Sequence, residues 1–439
     1  MSGTDVNPFA GARVYANPIM VASIDAMLEA QFEDVGDIPI SDEQAGVLNL
    51  LREVPAAIWI DTKAKLRVAR AVLEDAAAQA GNAGAPLVLL VLYDLPNRDC
   101  NAAASLGEIC CHRTEEGVCQ LSAPGDCASG LREYREEVVD PLAMLIGEFE
   151  GRVPVVVVIE PDSIANLVTN SDVPNCGAAT SAAYRGGLQY AVSHLKAAAP
   201  SAQLYLDAGH GGWLGWDEMA SKYVSLVCEL GLAPHLRGFS TNVANYNALG
   251  NYCPDEAYVG EENAAHYCNW IDQNATCCMS VNHCGQKLME GYNSGIGEYM
   301  YAQTLAKYAR EQCGDVDFMP HMVIDSGRNG APLARDSSCE SWCNVRGSRL
   351  GRLPTADTGD DVVDALLWVK TPGESDGCSR TLPDGRACAR YDPACGTPFA
   401  LGSLPSEPLP LAAPEAGLWY EYQILELSAD GAALRHELA

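Results

Sequence analysis

Lysine is scarce in this chain, with seven among 439 residues, and the 28 basic residues are outnumbered by 58 acidic ones, for a net charge of −30. A polyanion partner needs a basic surface, so nucleic acid is excluded as an expected partner. No uninterrupted apolar run reaches the roughly 18 to 20 residues of a membrane-spanning helix, so no membrane partner is expected. No G-x-G-x-x-G and no P-loop follows the early apolar runs, which argues against a nucleotide site. The eighteen cysteines contain no pair of C-x-x-C knuckles at zinc spacing. An even, clustered set then reads as disulfide staples of an oxidising compartment, with no metal and no cofactor expected. Asn274-Ala275-Thr276 is one glycosylation sequon in keeping with secretion. The opening MSGTDVNPFAGARVY lacks an apolar signal core, so any signal peptide is expected to have been removed.

What the chain does have is a set of apolar runs that break off into polar tips. LVLLVLYDLPNRD ends at Asp99, VPVVVVIEPD at Asp162, QLYLDAGH carries Asp207 and His210, and ALLWVKTPGESD ends at Asp376. Runs such as Val153 to Ile159 are short and β-branched, as strands buried on both faces are. Such strands form parallel sheets, whose active sites lie at the carboxyl ends of the strands. Several acids delivered to one rim point to general acid and base chemistry.

Strands are expected over Ala56–Asp61, Leu87–Tyr93, Pro154–Ile159, Gln203–Asp207, Leu236–Asn242, Phe318–Asp325 and Leu366–Lys370. Helical spacing is expected over Ala64–Ala80, Leu131–Glu150, Ala179–Ala199, Asp217–Leu230, Gly297–Gln312, Asp360–Ala365 and Leu418–Ser428. Repeated βα units give a doubly wound sheet or a barrel. Polar residues at nearly every strand end favour the barrel.

YDLPNRDC (Tyr93–Cys100), IEPDSIANLVTN (Ile159–Asn170), YLDAGHGGWLGW (Tyr205–Trp216), STNVANYN (Ser240–Asn247), WCNVRG (Trp342–Gly347) and WVKTPGESDG (Trp368–Gly377) resemble glycoside hydrolase family 6. That family cleaves β-1,4-glucan and holds both cellobiohydrolases and endoglucanases. The resemblance runs from Asn7 to about the last helix. It implies an α/β fold, a distorted parallel β/α barrel with fewer than eight strands and long disulfide-stapled loops. It also implies one catalytic domain over 1–439, with no separate binding module or linker in this sequence. The implied protein is a secreted monomer whose partners are cellulose and cello-oligosaccharides.

Cleaving a glycosidic bond needs a proton at the leaving oxygen and an activated water on the opposite face of the sugar. Asp162 matches the family's general acid, and Asp99 the carboxylate that raises its pKa. Asp376 matches the proposed base; a water chain through Ser105 and Asp99 is the other proton route. Tyr93 matches the tyrosine that presses on the distorted ring. Trp59, Asp61, Trp342, Lys370 and Glu374 match the non-reducing side of the cleavage point, and His210, Trp213 and Asn245 the leaving-group side, with Trp216 as an extension. Trp270 and Trp419 are expected in packing, and His283 and His321 in structural roles. Two residues depart from the family pattern: Asn97 stands where an acid is common, and Leu106 replaces an asparagine beside Ser105. The resemblance places disulfides at Cys100–Cys176 and Cys343–Cys395, with further bridges inside the insertions after Glu108 and Asn251. The segment Gly377–Gly402 is long, as in cellobiohydrolases. An endoglucanase, or a glucan-binding protein without turnover, are the alternatives.

Overall fold

The computed structural model describes residues 6–429, apart from 34, 35, 37, 83, 124, 261, 315–317 and 336–338. Seven strands form one sheet in chain order: β1 Ile58–Ile60, β2 Val88–Leu92, β3 Val155–Ile159, β4 Gln203–Asp207, β5 Gly238–Thr241, β6 His321–Asp325 and β7 Val363–Leu367. Every neighbouring pair is parallel. The sheet curls until its edges approach: the Ala57 N–H, just ahead of β1, donates to the Trp368 carbonyl, just past β7, at 2.9 Å. No ladder joins β1 to β7 among the described residues, so the barrel is left open along that seam.

Period-two alternation along the strands sorts side chains between two cores. Leu89, Val91, Val156, Val158, Tyr205, Val323 and Ala365 point inward, with Phe9 packed among them. Val88, Leu90, Leu92, Val155, Val157, Ile159, Leu204 and Leu206 point outward against the helices. Because both faces are buried, β2 and β3 are apolar at every position, VLLVL and VVVVI.

The seven expected strands are all present: Gln203–Asp207 with its expected bounds, the last shifted and the others trimmed at their ends. The expected helix at Asp360–Ala365 is not formed. Asp360 caps a turn, its Oδ1 accepting from the Val362 N–H at 2.7 Å, and the chain enters β7 at Val363. The short apolar stretch of DVVDALLWVK suits either state, and pairing with β6 decides for strand. The expected helix Leu131–Glu150 is Ala128–Tyr134 and Asp140–Glu148 joined by one π turn, Arg135–Val139. Two helices outside the expected series, Pro18–Phe32 and Asp42–Leu51, pack with Trp368 and Ile424 in a third apolar cluster. Their signals are in the sequence: Asn17 caps ahead of Pro18, and Ser41 with Gln44 forms a capping box.

All eighteen cysteines are paired. Cys100–Cys176 and Cys343–Cys395 are as expected. The insertion after Glu108 holds Cys110–Cys119 and Cys111–Cys127, and the one after Asn251 holds Cys253–Cys277 and Cys268–Cys278. Cys284–Cys339 ties this second insertion to the loop that precedes Trp342. No helix among the described residues is long and apolar enough to cross a membrane.

Candidate active site

At the carboxyl ends of the strands the backbone is forced into unusual conformations. Asn97, Asp99, Glu160, Asp162, Asn242, Ala244 and Asn344 all take positive φ, between 42° and 65°. Left-handed backbone is disfavoured for residues with a Cβ, and such strain gathers where side chains must be aimed. These turns surround a cavity of about 670 Å³. Its lining includes Trp59, Asp61, Tyr93, Asp99, Ser105, Asp162, His210, Trp213, Asn245, Trp342, Lys370, Glu374 and Asp376, all site residues named from the sequence, but not Trp216.

Asp162 follows β3, and its backbone N–H donates to Asp207 Oδ2 at the end of β4, 2.9 Å away. Burial pushes the Asp162 carboxyl up to about 6. Asp99 is raised to about 7, by burial first and the charge of Asp162 second. Its Oδ2 accepts the Ser105 backbone N–H at 3.0 Å, so Ser105 holds Asp99 through the main chain and keeps its hydroxyl for the cavity. Tyr93 is sandwiched in place: the Arg98 guanidinium lies over its ring at 4.5 Å and Trp59 meets it edge-on at 5.4 Å.

Asp376 is the most heavily engaged acid. Its Oδ2 accepts from Tyr246 at 2.7 Å, the Asn344 N–H at 2.9 Å and Arg328 Nη1 at 2.9 Å. Its Oδ1 accepts only Arg328, at 2.8 Å, and keeps lone-pair capacity toward the cavity. At one end of the cavity, Trp59 Nε1 donates to the Val369 carbonyl at 2.8 Å, and Lys370 Nζ lies over its ring at 5.3 Å while pairing with Glu374 at 3.2 Å. Asp61 pairs with Lys65 at 2.8 Å. At the other end, Trp213 Nε1 donates to Thr169 at 3.0 Å. Asn245 accepts from Arg335 Nη1 at 2.9 Å. Burial holds His210 well below the usual histidine range.

A roof crosses the cavity. Arg390 Nη1 donates to the Leu106 carbonyl at 3.1 Å, and Asp392 Oδ2 accepts the Ala103 N–H at 2.8 Å. The segment after Asp376 thereby meets the loop after Asp99. At Leu106 this contact uses the backbone carbonyl, so the missing asparagine side chain does not break it. The departure at Asn97 is absorbed too: its amide bridges Thr180 at 2.9 Å and the Cys111 N–H at 2.9 Å, which fixes the start of the insertion.

The sequence singles out Asp207 only as a strand-tip acid and assigns no role to Arg328, Tyr246, Asn344 and Arg335. Asp325-Ser-Gly-Arg328 does repeat the pattern of a strand ending in polar residues. Glu160, raised to about 7 by burial, accepts the Asp94 and Leu95 N–H groups and the Tyr134 hydroxyl, binding the ends of β2 and β3 together. Trp419 packs as expected, donating to Met27 Sδ, and His321 Nδ1 meets the Asp361 carbonyl. His283 bonds Asn247 through Nδ1. Trp216 donates to the Gly291 carbonyl and lies outside the cavity lining. Trp270 is the exception to the expected packing, 74% exposed on the second insertion.

A family model described as Glycosyl hydrolases family 6 matches residues 9–431. The chain is 34% identical over 428 residues to 1,4-beta-D-glucan cellobiohydrolase C of Emericella nidulans, covering 96% of this chain and 77% of that one. It is 34% identical over 419 residues to exoglucanase 3 of Agaricus bisporus, covering 94% and 76%. Among solved structures, cellobiohydrolase II of Humicola insolens in complex with glucose and cellotetraose superposes with a TM-score of 0.72 at 29% identity, covering 97% of this chain and 98% of that one. The seven-stranded open barrel, the raised carboxyl pair at its rim and these matches agree, and the chain belongs to glycosyl hydrolases family 6.

Proposed function

We propose that this protein is a secreted, inverting cellobiohydrolase that threads a β-1,4-glucan chain beneath the loop roof and releases cellobiose. The observation that carries the reading is the pair Asp99 and Asp162, both raised and both lining the cavity at the rim, beside two loops that touch. Asp162, held up to about 6, keeps a proton for the leaving oxygen in mildly acid solution. With one proton held between Asp99 and Asp162, the carboxylate left ionised stabilises the positive charge that develops on the ring. Tyr93, fixed by Arg98 and Trp59, presses on the ring at the cleavage point. Asp376, whose Oδ1 accepts from Arg328 alone and keeps a lone pair, takes the proton of the attacking water, directly or through a water chain that includes Ser105. No covalent intermediate forms in this scheme.

Glucan faces are apolar and its edges carry hydroxyls, so indoles stack and polar groups bond the rims. Trp59 and Trp342 form the platforms on the non-reducing side, where Asp61, Lys370 and Glu374 hold hydroxyls. Trp213, His210 and Asn245 receive the leaving chain. One catalytic unit acts as a monomer. Support for the exo mode comes from the roof contacts Arg390–Leu106 and Asp392–Ala103 and from relatives named as cellobiohydrolases.

The test is the ratio of soluble to insoluble reducing ends released from amorphous cellulose, with the product anomer followed by polarimetry. Mostly soluble ends and an initial α-anomer are expected. Mostly insoluble ends would make it an endoglucanase, an initial β-anomer would rule out inversion, and no release would leave a glucan-binding protein.

A further inference from the structure

Among the described residues four arginines are at least nine-tenths buried, and three of them meet a carboxylate: Arg98 with Asp94 at 3.2 Å, Arg237 with Asp364 at 2.9 Å and Arg328 with Asp376 at 2.8 Å. The fourth, Arg335, is 5% exposed and has no carboxylate within ion-pair distance among the described residues. Its Nη1 donates to Asn245 at 2.9 Å and its Nη2 to the Cys339 carbonyl, while Nε is buried without a partner. A buried cation bonded only to neutral oxygens has given up hydration without gaining a counter-charge. Burial accordingly lowers its proton affinity, to about 10. The carboxylate whose charge acts on it, Asp376, is already engaged by Arg328.

The surroundings share this bias. Arg335 lines the active-site cavity beside Asn245, His210 and Trp213. His210 Nδ1 is also buried without a partner, and the His283 ring stands 5.3 Å from that of His210. His283 and Arg335 come from different segments, the second cysteine-rich insertion and the loop before Trp342, and Cys284–Cys339 staples the two. Through this staple the insertion holds the Arg335 guanidinium, which can only donate hydrogen bonds, at the leaving-group end of the cleft.

We infer that this end of the cleft is a subsite for a carboxylate carried by the leaving sugar, with Arg335 as its specificity-determining residue. A hydroxyl would supply only a dipole, whereas a carboxylate supplies the missing counter-charge and accepts the free Nε–H, and a guanidinium matches it in shape. The sugar acid is either an aldonate at the reducing end of the chain or a uronate oxidised at C6. This inference rests on the leaving-group side lying at His210, Trp213 and Asn245, as proposed above.

The experiment compares cellobiose, cellobionate and C6-oxidised cellobiose as competitive inhibitors of cellotetraose hydrolysis at pH 5 to 6, where both acids are ionised. For the unaltered enzyme, one of the acids is expected to bind at least as tightly as cellobiose, and which one identifies the source of the carboxylate. Arg335→Gln is expected to weaken that acid about tenfold more than it weakens cellobiose, the scale of a hydrogen bond to a charged group, with Arg335→Lys recovering part of the preference. Both acids binding the unaltered enzyme about tenfold more weakly than cellobiose would overturn the inference, and that outcome needs no variant to fold. An equal loss for acid and neutral sugar in Arg335→Gln would overturn it as well. Failure to hydrolyse cellotetraose at all would instead strike the proposed activity.

Discussion

The backbone N–H of Asp162 donates to the carboxylate of Asp207 at 2.9 Å, so the residue at the tip of β3 is positioned by the residue at the end of β4. Asp207 accepts the Gly209 N–H at 3.0 Å through the same Oδ2, and its Oδ1 is buried without a partner. Burial, with the charge of Asp162 second, pushes this carboxyl well above the ordinary range. Three raised acids, Asp99, Asp162 and Asp207, therefore stand at the ends of three consecutive strands. The Asp162 side chain is left free of any hydrogen bond among the described residues and can face the substrate.

Asp162→Ala should remove the proton donor and leave the stacking surfaces intact. Turnover of cellulose is expected to fall by about a thousandfold or more, within the usual range for a general acid, while cellotetraose binding changes little. Near-normal turnover would take Asp162 out of the role.

The charge of Asp162 acts on both Asp99 and Asp207, so the pH–rate profile reports interacting carboxyls and not one residue alone. Removing the neighbouring charge in Asp99→Asn lowers the proton affinity of Asp162, and the alkaline limb of kcat/KM should move toward acid. A limb that stays in place would separate the two carboxyls.

Stability should be greatest in mild acid. Asp94 is raised to about 9, Asp99, Glu160 and Glu298 to about 7, and Asp162 and Asp325 to about 6, each by burial first. A carboxyl whose folded pKa lies above its unfolded value holds its proton longer when folded. Its contribution is fully present below about pH 4 and is lost as pH rises through the folded value. Exposed carboxylates such as Glu148, lowered by its bond to Arg70, act in the opposite sense and are screened by solvent. The melting temperature is expected to fall steadily from pH 5 to pH 9; a rise over that interval would contradict the burial argument.

Asp392→Ala removes the acceptor for the Ala103 N–H and one of the two links across the cleft. The share of insoluble reducing ends from amorphous cellulose should rise while hydrolysis of short soluble oligosaccharides is retained. If the share is unchanged, the contact does not restrain the roof.

Reduction should matter more here than in most enzymes of this size. Nine disulfides close loops spanning 9 to 85 residues, and each native bridge contributes about 2 to 4 kcal/mol. Dithiothreitol is expected to lower the melting temperature by about 10 °C or more. An unaltered melting curve would mean that the bridges are not formed in solution.

The strand series was legible because strands buried on both faces must be apolar at every position, and VVVVI or VLLVL suits little else. The carboxylates at their tips were legible for the complementary reason that apolar runs end where the chain turns polar. The segment before β7 differs from its expected helix because DVVDALL is too short for periodicity to choose between helix and strand. The two N-terminal helices lie outside the expected series although Asn17-Pro18 and Ser41-x-x-Gln44 are cap signals. Arg328 and Asn344 lie 48 and 32 residues from the Asp376 they hold, and no local pattern predicts such a partnership.

By itself the sequence determined which residues form the barrel wall, where its acids are delivered and that its loops are stapled, because burial and chain chemistry act residue by residue. Only the tertiary structure decided which charges are paired and which are left alone. Arg328 found Asp376 while Arg335 found no carboxylate among the described residues, and Asp99 and Asp162 came to line one cavity from strained turns. Those outcomes depend on distances through space and on the water excluded between segments far apart in the chain, which no stretch of sequence encodes on its own.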